Sequence, residues 1–288
     1  MGKAARLLLI LLAGGIAGRM SMAAAQTVEY PSAGANVSFD AVMELPFQEP
    51  LLTLDYGVDD ATLQRGSLWL PAEATDGNHA PLAVLVHGGC WLNAFDIRHT
   101  YALATALSQA GFAVWSLEYR RTGDPGGGWP GTLDDIRAGL AYRHRLTDHP
   151  IDLERTAIVG HSAGGHLALL AASESPELRG AIGLAAITDI LTYARGDNSC
   201  ESVTANFMGV SADADPAAWR AANPVEQTLH ARTVLLQGDV DTIVDPSQAM
   251  VPNVRTLILN GAGHFDWVHP GTRAFRLLLA TLNELTAP

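Results

Sequence analysis

A strand, a glycine-framed serine and a helix follow one another without a break between residues 156 and 172, and this stretch dictates most of what the chain can become. Thr156-Ala157-Ile158-Val159 is short, apolar and β-branched, the pattern of a buried strand. Gly160-His161-Ser162-Ala163-Gly164-Gly165-His166 comes next, and Leu167-Ala168-Leu169-Leu170-Ala171-Ala172 is rich in strong helix formers. Gly-x-Ser-x-Gly between a strand and a helix is the setting of a nucleophile elbow. A serine on so sharp a turn needs neighbours without a Cβ, or its side chain cannot stand clear of the sheet. The helix beginning at Ala163 points free N–H groups at that serine, where they can hold a developing anion. By itself the motif also fits a plain serine in a tight βα turn, so the rest of the chain has to decide.

Strand and helix patterns alternate from residue 82 onward. Leu82 to His87, Phe112 to Leu117, Ala181 to Ile187, Thr233 to Gln237 and Val254 to Leu259 read as strands. Helices are expected from Thr100 to Ala110, from Leu133 to about Leu146 with Thr132 as its cap, and from Arg273 to Leu285. Ahead of them, Leu51 to Tyr56 and Leu63 to Leu70 read as two antiparallel strands joined through Asp59-Asp60. The alternation predicts an α/β fold, a mostly parallel sheet with helices on both faces. Residues 26–288 are read as one domain. A cap insertion is expected around 189–230, where short helical pieces replace a clean strand.

Residues 1–25 have the make-up of a secretory signal peptide: Lys3 and Arg6, an apolar run from Leu7 to Ala17, then Ala23-x-Ala25 before Gln26. The run is too short to span a bilayer, so the expectation is an exported protein, periplasmic or extracellular, with no stable membrane insertion once cleaved. Lys3 is the only lysine among the 288 residues. That excludes Schiff-base, Walker-A, protein-kinase and Ser-Lys chemistry together. A net charge of −12 argues against nucleic acid as a partner. Metal-ligand spacings are missing, so neither metal nor cofactor is expected.

A serine hydroxyl needs a histidine base, and the base needs a carboxylate to hold its tautomer. In open parallel sheets such groups gather at the carboxyl ends of strands. Ser162, an aspartate in Gly238-Asp239-Val240-Asp241, and His264 in Gly261-Ala262-Gly263-His264 leave three such ends, in the order Ser, Asp, His. Of the ten histidines, His264 is the expected base. His161 and His166 sit on the elbow and cannot reach the serine hydroxyl. His87 is expected to hold the neighbouring loop by hydrogen bonds. His79, His99, His144, His149, His230 and His269 are expected to be exposed. Asp239, Asp241 and Asp245 share the acid loop, and Asp266 is expected to serve its own turn. Gly88 and Gly89, after His87, together with Ala163 are the expected donors to an oxyanion.

His87-Gly88-Gly89-Cys90-Trp91, Glu118-Tyr119-Arg120-Arg121, the elbow, Gly238-x-x-Asp241 and Gly261-Ala262-Gly263-His264-Phe265 together resemble the α/β-hydrolase esterases of the hormone-sensitive-lipase and kynurenine-formamidase-like group. The similarity runs from about Leu82 to the C-terminus. It implies an eight-stranded sheet whose second strand is antiparallel, and it selects Asp241 as the acid. It also implies a serine hydrolase that cleaves carboxylic esters through an acyl-serine, with a small-molecule ester as its partner; small acyl groups are expected because the cap from Asp189 to His230 is short and shows no long apolar helix. Arylformamidase or amidase activity, acyl transfer to an alcohol, and a non-catalytic binding protein on the same scaffold are the alternatives. Cys90, Trp91 and His161 are expected to line the substrate site. Cys90 stands where related motifs carry a third glycine or an aromatic residue. Cys90 and Cys200, the only cysteines, can either bridge the oxyanion loop to the cap or remain two free thiols.

Overall fold

The computed structural model describes residues 27–288 except Val58 and Ala61, so the expected signal peptide lies outside the described residues. Eight strands form one sheet in the order β1-β2-β4-β3-β5-β6-β7-β8. They are β1 (Leu52–Asp55), β2 (Arg65–Trp69), β3 (Ala80–Val86), β4 (Ala113–Leu117), β5 (Ile151–His161), β6 (Gly180–Leu184), β7 (Thr233–Gly238) and β8 (Arg255–Leu259). Only β2 runs against its neighbours, pairing antiparallel with both β1 and β4. From β4 to β8 every pairing is parallel.

Parallel strands need covered crossovers, and the central strands are accordingly buried on both faces. β4, β6 and β7 carry no exposed residue. One face packs on α3 (Gly131–Tyr142) and α4 (Ala163–Ser173), the other on α2 (Tyr101–Gln109) and α8 (Arg273–Leu285). A short α1 (Phe39–Met43) precedes the sheet. Between β6 and β7 lie α5 (Ile190–Tyr193), α6 (Thr204–Met208) and α7 (Pro216–Ala221), each four to six residues long. No helix among the described residues is long and apolar enough to cross a membrane.

Thr132 does not cap α3. Pro130 takes that position, and Thr132 stands in the first turn, its hydroxyl donating to Arg120 O at 2.7 Å and accepting from Gly128 N at 3.0 Å. Asp135 has a structural use too. Its buried carboxylate accepts Arg120 Nε at 2.9 Å, an Arg120 terminal nitrogen at 2.6 Å and Gln64 Nε2 at 2.7 Å. This planar two-point pairing fastens α3 to the ends of β2 and β4. The β7–β8 crossover holds only a 3₁₀ turn, Pro246–Ala249.

Candidate active site

Ser162 follows the last residue of β5 and precedes α4, at φ 57° and ψ −123°, in the left-handed half of φ space where a side-chain-bearing residue is strained. The flanking glycines explain how the turn closes. A Cβ on Gly160 would lie 2.2 Å from Gly164 O, and one on Gly164 would lie 2.1 Å from His87 O. Any larger residue would separate α4 from the end of β3.

His264 follows β8, and its Nδ1 meets Asp241 Oδ2 at 2.8 Å, both groups buried. Asp241 is held firmly. Its Oδ1 accepts the N–H groups of Ile243 and Val244, each at 2.9 Å, and its Oδ2 also accepts Gln237 Nε2 at 3.2 Å. The other two aspartates of the loop turn elsewhere: Asp239 accepts Gly261 N and Asp245 caps its 3₁₀ turn through Ser247 N. Asp266 serves its own turn through Gly263 N at 3.0 Å and additionally accepts Asn36 N and Val37 N, tying the N-terminal lead to the His264 loop. Burial raises its carboxyl above the ordinary value, against those three N–H groups.

Gly88 lies against the elbow, since a Cβ built on it would come within 3.0 Å of Ser162 Cβ. Among the described residues, no protein group accepts the N–H of Gly88, Gly89 or Ala163. Three donors expected at an oxyanion are thus uncommitted within the protein. The loop behind them is strained: Gly89, Cys90 and Trp91 run consecutively at φ 112°, 54° and 56°.

The three residues expected to line the substrate site are placed differently. Cys90 is bonded to Cys200, which settles the choice between a bridge and two thiols and anchors the oxyanion loop to the cap. Trp91 is wholly buried. It stacks on Phe207 with centroids 4.7 Å apart and donates from Nε1 to His166 Nδ1 at 3.3 Å. His161 lies beside His264, its Nε2 donating to His264 O at 3.0 Å. All three thus help to hold the loops around Ser162 in place. A second part of the cap reaches the acid loop, where Tyr193 Oη and Asn198 Nδ2 both donate to Ile243 O at 3.0 Å. His166 Nε2 meets Ala222 O at 2.7 Å, adding the elbow helix to these anchors.

His99 and His269, expected at the surface, are buried. His99 packs edge-on to His87 and its Nδ1 meets Asp96 O at 2.8 Å. Burial in apolar surroundings disfavours imidazolium. It pushes His99 down to about 3 and His166 down to about 4, and it holds His161 well below the ordinary value. The sign follows directly. These folded-state values lie below the ordinary 6.5, so the unfolded chain binds more protons and stability falls as pH drops below 6.5, continuing toward 4 and 3. Each such histidine adds up to about 1.4 kcal/mol per pH unit over its window. Urea midpoints measured from pH 7 to pH 4.5 should fall steeply; a flat profile would contradict neutral buried imidazoles.

The sheet order, the strand-elbow-helix and the positions of Ser162, Asp241 and His264 at the ends of β5, β7 and β8 define an α/β-hydrolase fold. The chain belongs to the BD-FAE family, whose pattern matches residues 67–253, more than half of its length. Among characterised relatives, esterase LipC of Mycobacterium tuberculosis is 28% identical over 65% of this chain and 53% of its own. Esterase LipQ of the same organism is 30% identical over 36% of this chain and 25% of its own, so the chain spans about half or less of these relatives. Esterase B of Lactobacillus rhamnosis has the same fold, with TM-score 0.70 and 20% identity over 86% of this chain and 90% of that one. A truncated carbohydrate esterase from gut microbiota superimposes with TM-score 0.68 at 17% identity, covering 84% of this chain and 100% of its own.

Proposed function

We propose that this protein is an exported serine hydrolase that cleaves carboxylic esters of small acyl groups through an acyl-serine intermediate. The observation that carries this reading is the 2.8 Å His264–Asp241 pair at the same end of the sheet as a strained elbow serine. Asp241, acting only as an acceptor, keeps the proton of neutral His264 on Nδ1 and leaves Nε2 as the base. Ser162 Oγ attacks the acyl carbon while its proton passes to Nε2. The N–H groups of Gly88, Gly89 and Ala163 receive the oxyanion. Collapse expels the alcohol, which takes that proton from His264, and water then repeats the sequence to release the acid and free Ser162. Among the described residues, His264 bonds to Asp241 and not to Ser162; the bond from nucleophile to base commonly tightens only when substrate is bound.

The family and the esterase relatives support the ester reading, and the bridge supports export, because disulfides persist outside reducing compartments. An active-site-directed fluorophosphonate tests the central step: it should label Ser162, and folded protein that resists it would point to a binding protein. Acyl length follows from the cap, whose helices are four to six residues long and form no long apolar channel wall. On a series of p-nitrophenyl esters, kcat/KM should peak between two and four acyl carbons and fall by at least about tenfold at sixteen. A maximum at palmitate would exclude the small-acyl assignment.

A further inference from the structure

The Glu118-Tyr119-Arg120-Arg121 segment lies outside the proposed reaction, yet it converges on the loop that carries two of the oxyanion donors. Glu118 is buried and accepts three hydrogen bonds, from His87 Nε2 at 3.0 Å, Ile97 N at 3.1 Å and Tyr119 N at 3.1 Å, and it pairs with an Arg121 terminal nitrogen at 3.2 Å. On the other side of the His87 ring, Nδ1 meets Gly88 O at 2.7 Å. A carboxylate and a carbonyl can only accept, so both ring nitrogens must carry hydrogen. Burial alone would raise the Glu118 carboxyl, but His87, Arg121 and the Ile97 N–H outweigh it and bring it down to about 2. Tyr119 completes the arrangement. Its ring stacks on His87 at 4.3 Å, and its hydroxyl donates to His87 O at 2.6 Å.

These bonds end on two consecutive carbonyls, and there the consequence lies. Both peptide units are trans, and in a planar trans unit the N–H points opposite to the C=O. Fixing His87 O therefore fixes the direction of Gly88 N–H, and fixing Gly88 O fixes that of Gly89 N–H. Gly88 and Gly89 have no side chain with which to resist rotation of their peptides. We propose that Tyr119 and a His87 that donates from both ring nitrogens, itself held by Glu118, are positioning residues that aim the two N–H donors at the oxyanion. The inference rests on the serine-hydrolase reading above. The ring of His87 faces Glu118 and Tyr119 from the end of β4 and His99 from the turn before α2; Arg121 pairs with Glu118, and His161, with His264 against it, packs on His99. Of these, Glu118 is the carboxylate bonded to the ring.

Two measurements test this. In protein labelled with ¹⁵N-histidine and assigned through its backbone, His87 should show a proton on both ring nitrogens at pH 7; one bare nitrogen overturns the charged state. Tyr119→Phe removes a single oxygen from a buried ring. With p-nitrophenyl butyrate it should lower kcat by about 10–100-fold while KM stays within about twofold, since a misdirected donor is lost from the transition state alone. Affinity for an alkylboronic acid, which forms a tetrahedral adduct on serine, should weaken by about tenfold or more. An unchanged kcat, or a loss carried wholly by KM, would overturn the positioning role. Should Tyr119→Phe fail to fold, the wild-type spectrum still decides whether His87 is charged. Should wild-type protein resist fluorophosphonate labelling, the serine-hydrolase reading fails on its own, separately from the state of His87.

Discussion

Ser162→Ala and His264→Ala should each lower kcat by about 10⁵–10⁶, and Asp241→Asn by about 10⁴, with folding intact in all three. The ranking comes from what each variant leaves behind. Without the hydroxyl there is no covalent route, and without His264 there is no acceptor for its proton. The carboxamide that replaces the Asp241 carboxylate can still occupy the pocket formed by the N–H groups of Ile243 and Val244. It presents an uncharged group to His264 and no longer steadies an imidazolium. Combining variants should cost little beyond the worst single one, because the groups act as a unit. Asp245→Asn is the control. Its carboxylate caps an exposed turn through Ser247 N, so turnover should change by less than about twofold while at most a few tenths of a kcal/mol of stability is lost. If Asp245→Asn were the damaging change and Asp241→Asn the mild one, the acid would be misassigned. Steady-state kinetics with a soluble ester, with a circular-dichroism melt for each variant, make the comparison.

Breaking the Cys90–Cys200 bridge should carry the largest effect on stability. The two residues are 110 apart in sequence, and in the chain-entropy model closing such a loop restricts the unfolded chain by about 4–5 kcal/mol. For a domain of this size that corresponds to a fall in Tm on the order of 10 °C. Activity should fall as well, and for a different reason. Cys90 and Trp91 are held at positive φ in the loop that carries the oxyanion donors, and the bridge helps to hold them there. Reduced protein, or Cys90→Ser with Cys200→Ser, should therefore show a lower kcat at temperatures well below its own melting point. Thiol titration of denatured, unreduced protein should find no free thiol. Two titratable thiols, or a Tm and kcat indifferent to reductant, would dismiss the bridge as a working part.

The sequence made the sheet legible because its signals are local. β-branched runs, glycine stops and the elbow each lie within a dozen residues, and the strands fall within a few residues of where those patterns place them. Ser162 and His264 stood out for the same reason, each in a glycine turn directly after a strand. The supporting residues were hidden because their partners are remote. His161 reads as an elbow neighbour, and only folding brings the carbonyl of His264, 103 residues away, to its ring. Trp91 reads as an aromatic beside an oxyanion loop, and nothing local reveals that Phe207 covers it. His99 follows the charged residues Asp96 and Arg98 and looks exposed until Phe39 and His87 close around it. Glu118 was part of a recognisable motif, but its work lies in three hydrogen bonds and an ion pair that no spacing rule encodes. Thr132 misled through a sound rule, since a threonine ahead of an acidic turn is a good cap; tertiary bonds to Arg120 and Gly128 took precedence.

The clasp between Asp266 and the backbone of Asn36 and Val37 joins residues 230 positions apart. It closes the loop of His264 with a segment that is synthesised some 230 residues ahead of it. Contacts of such long range form late, after the cost of bringing distant segments together has been met. A growing chain can therefore complete its elbow and much of its sheet before the loop of His264 is fastened. On the mechanism proposed above, turnover waits until these two distant segments have met, so the chain would be made without the power to act on an ester.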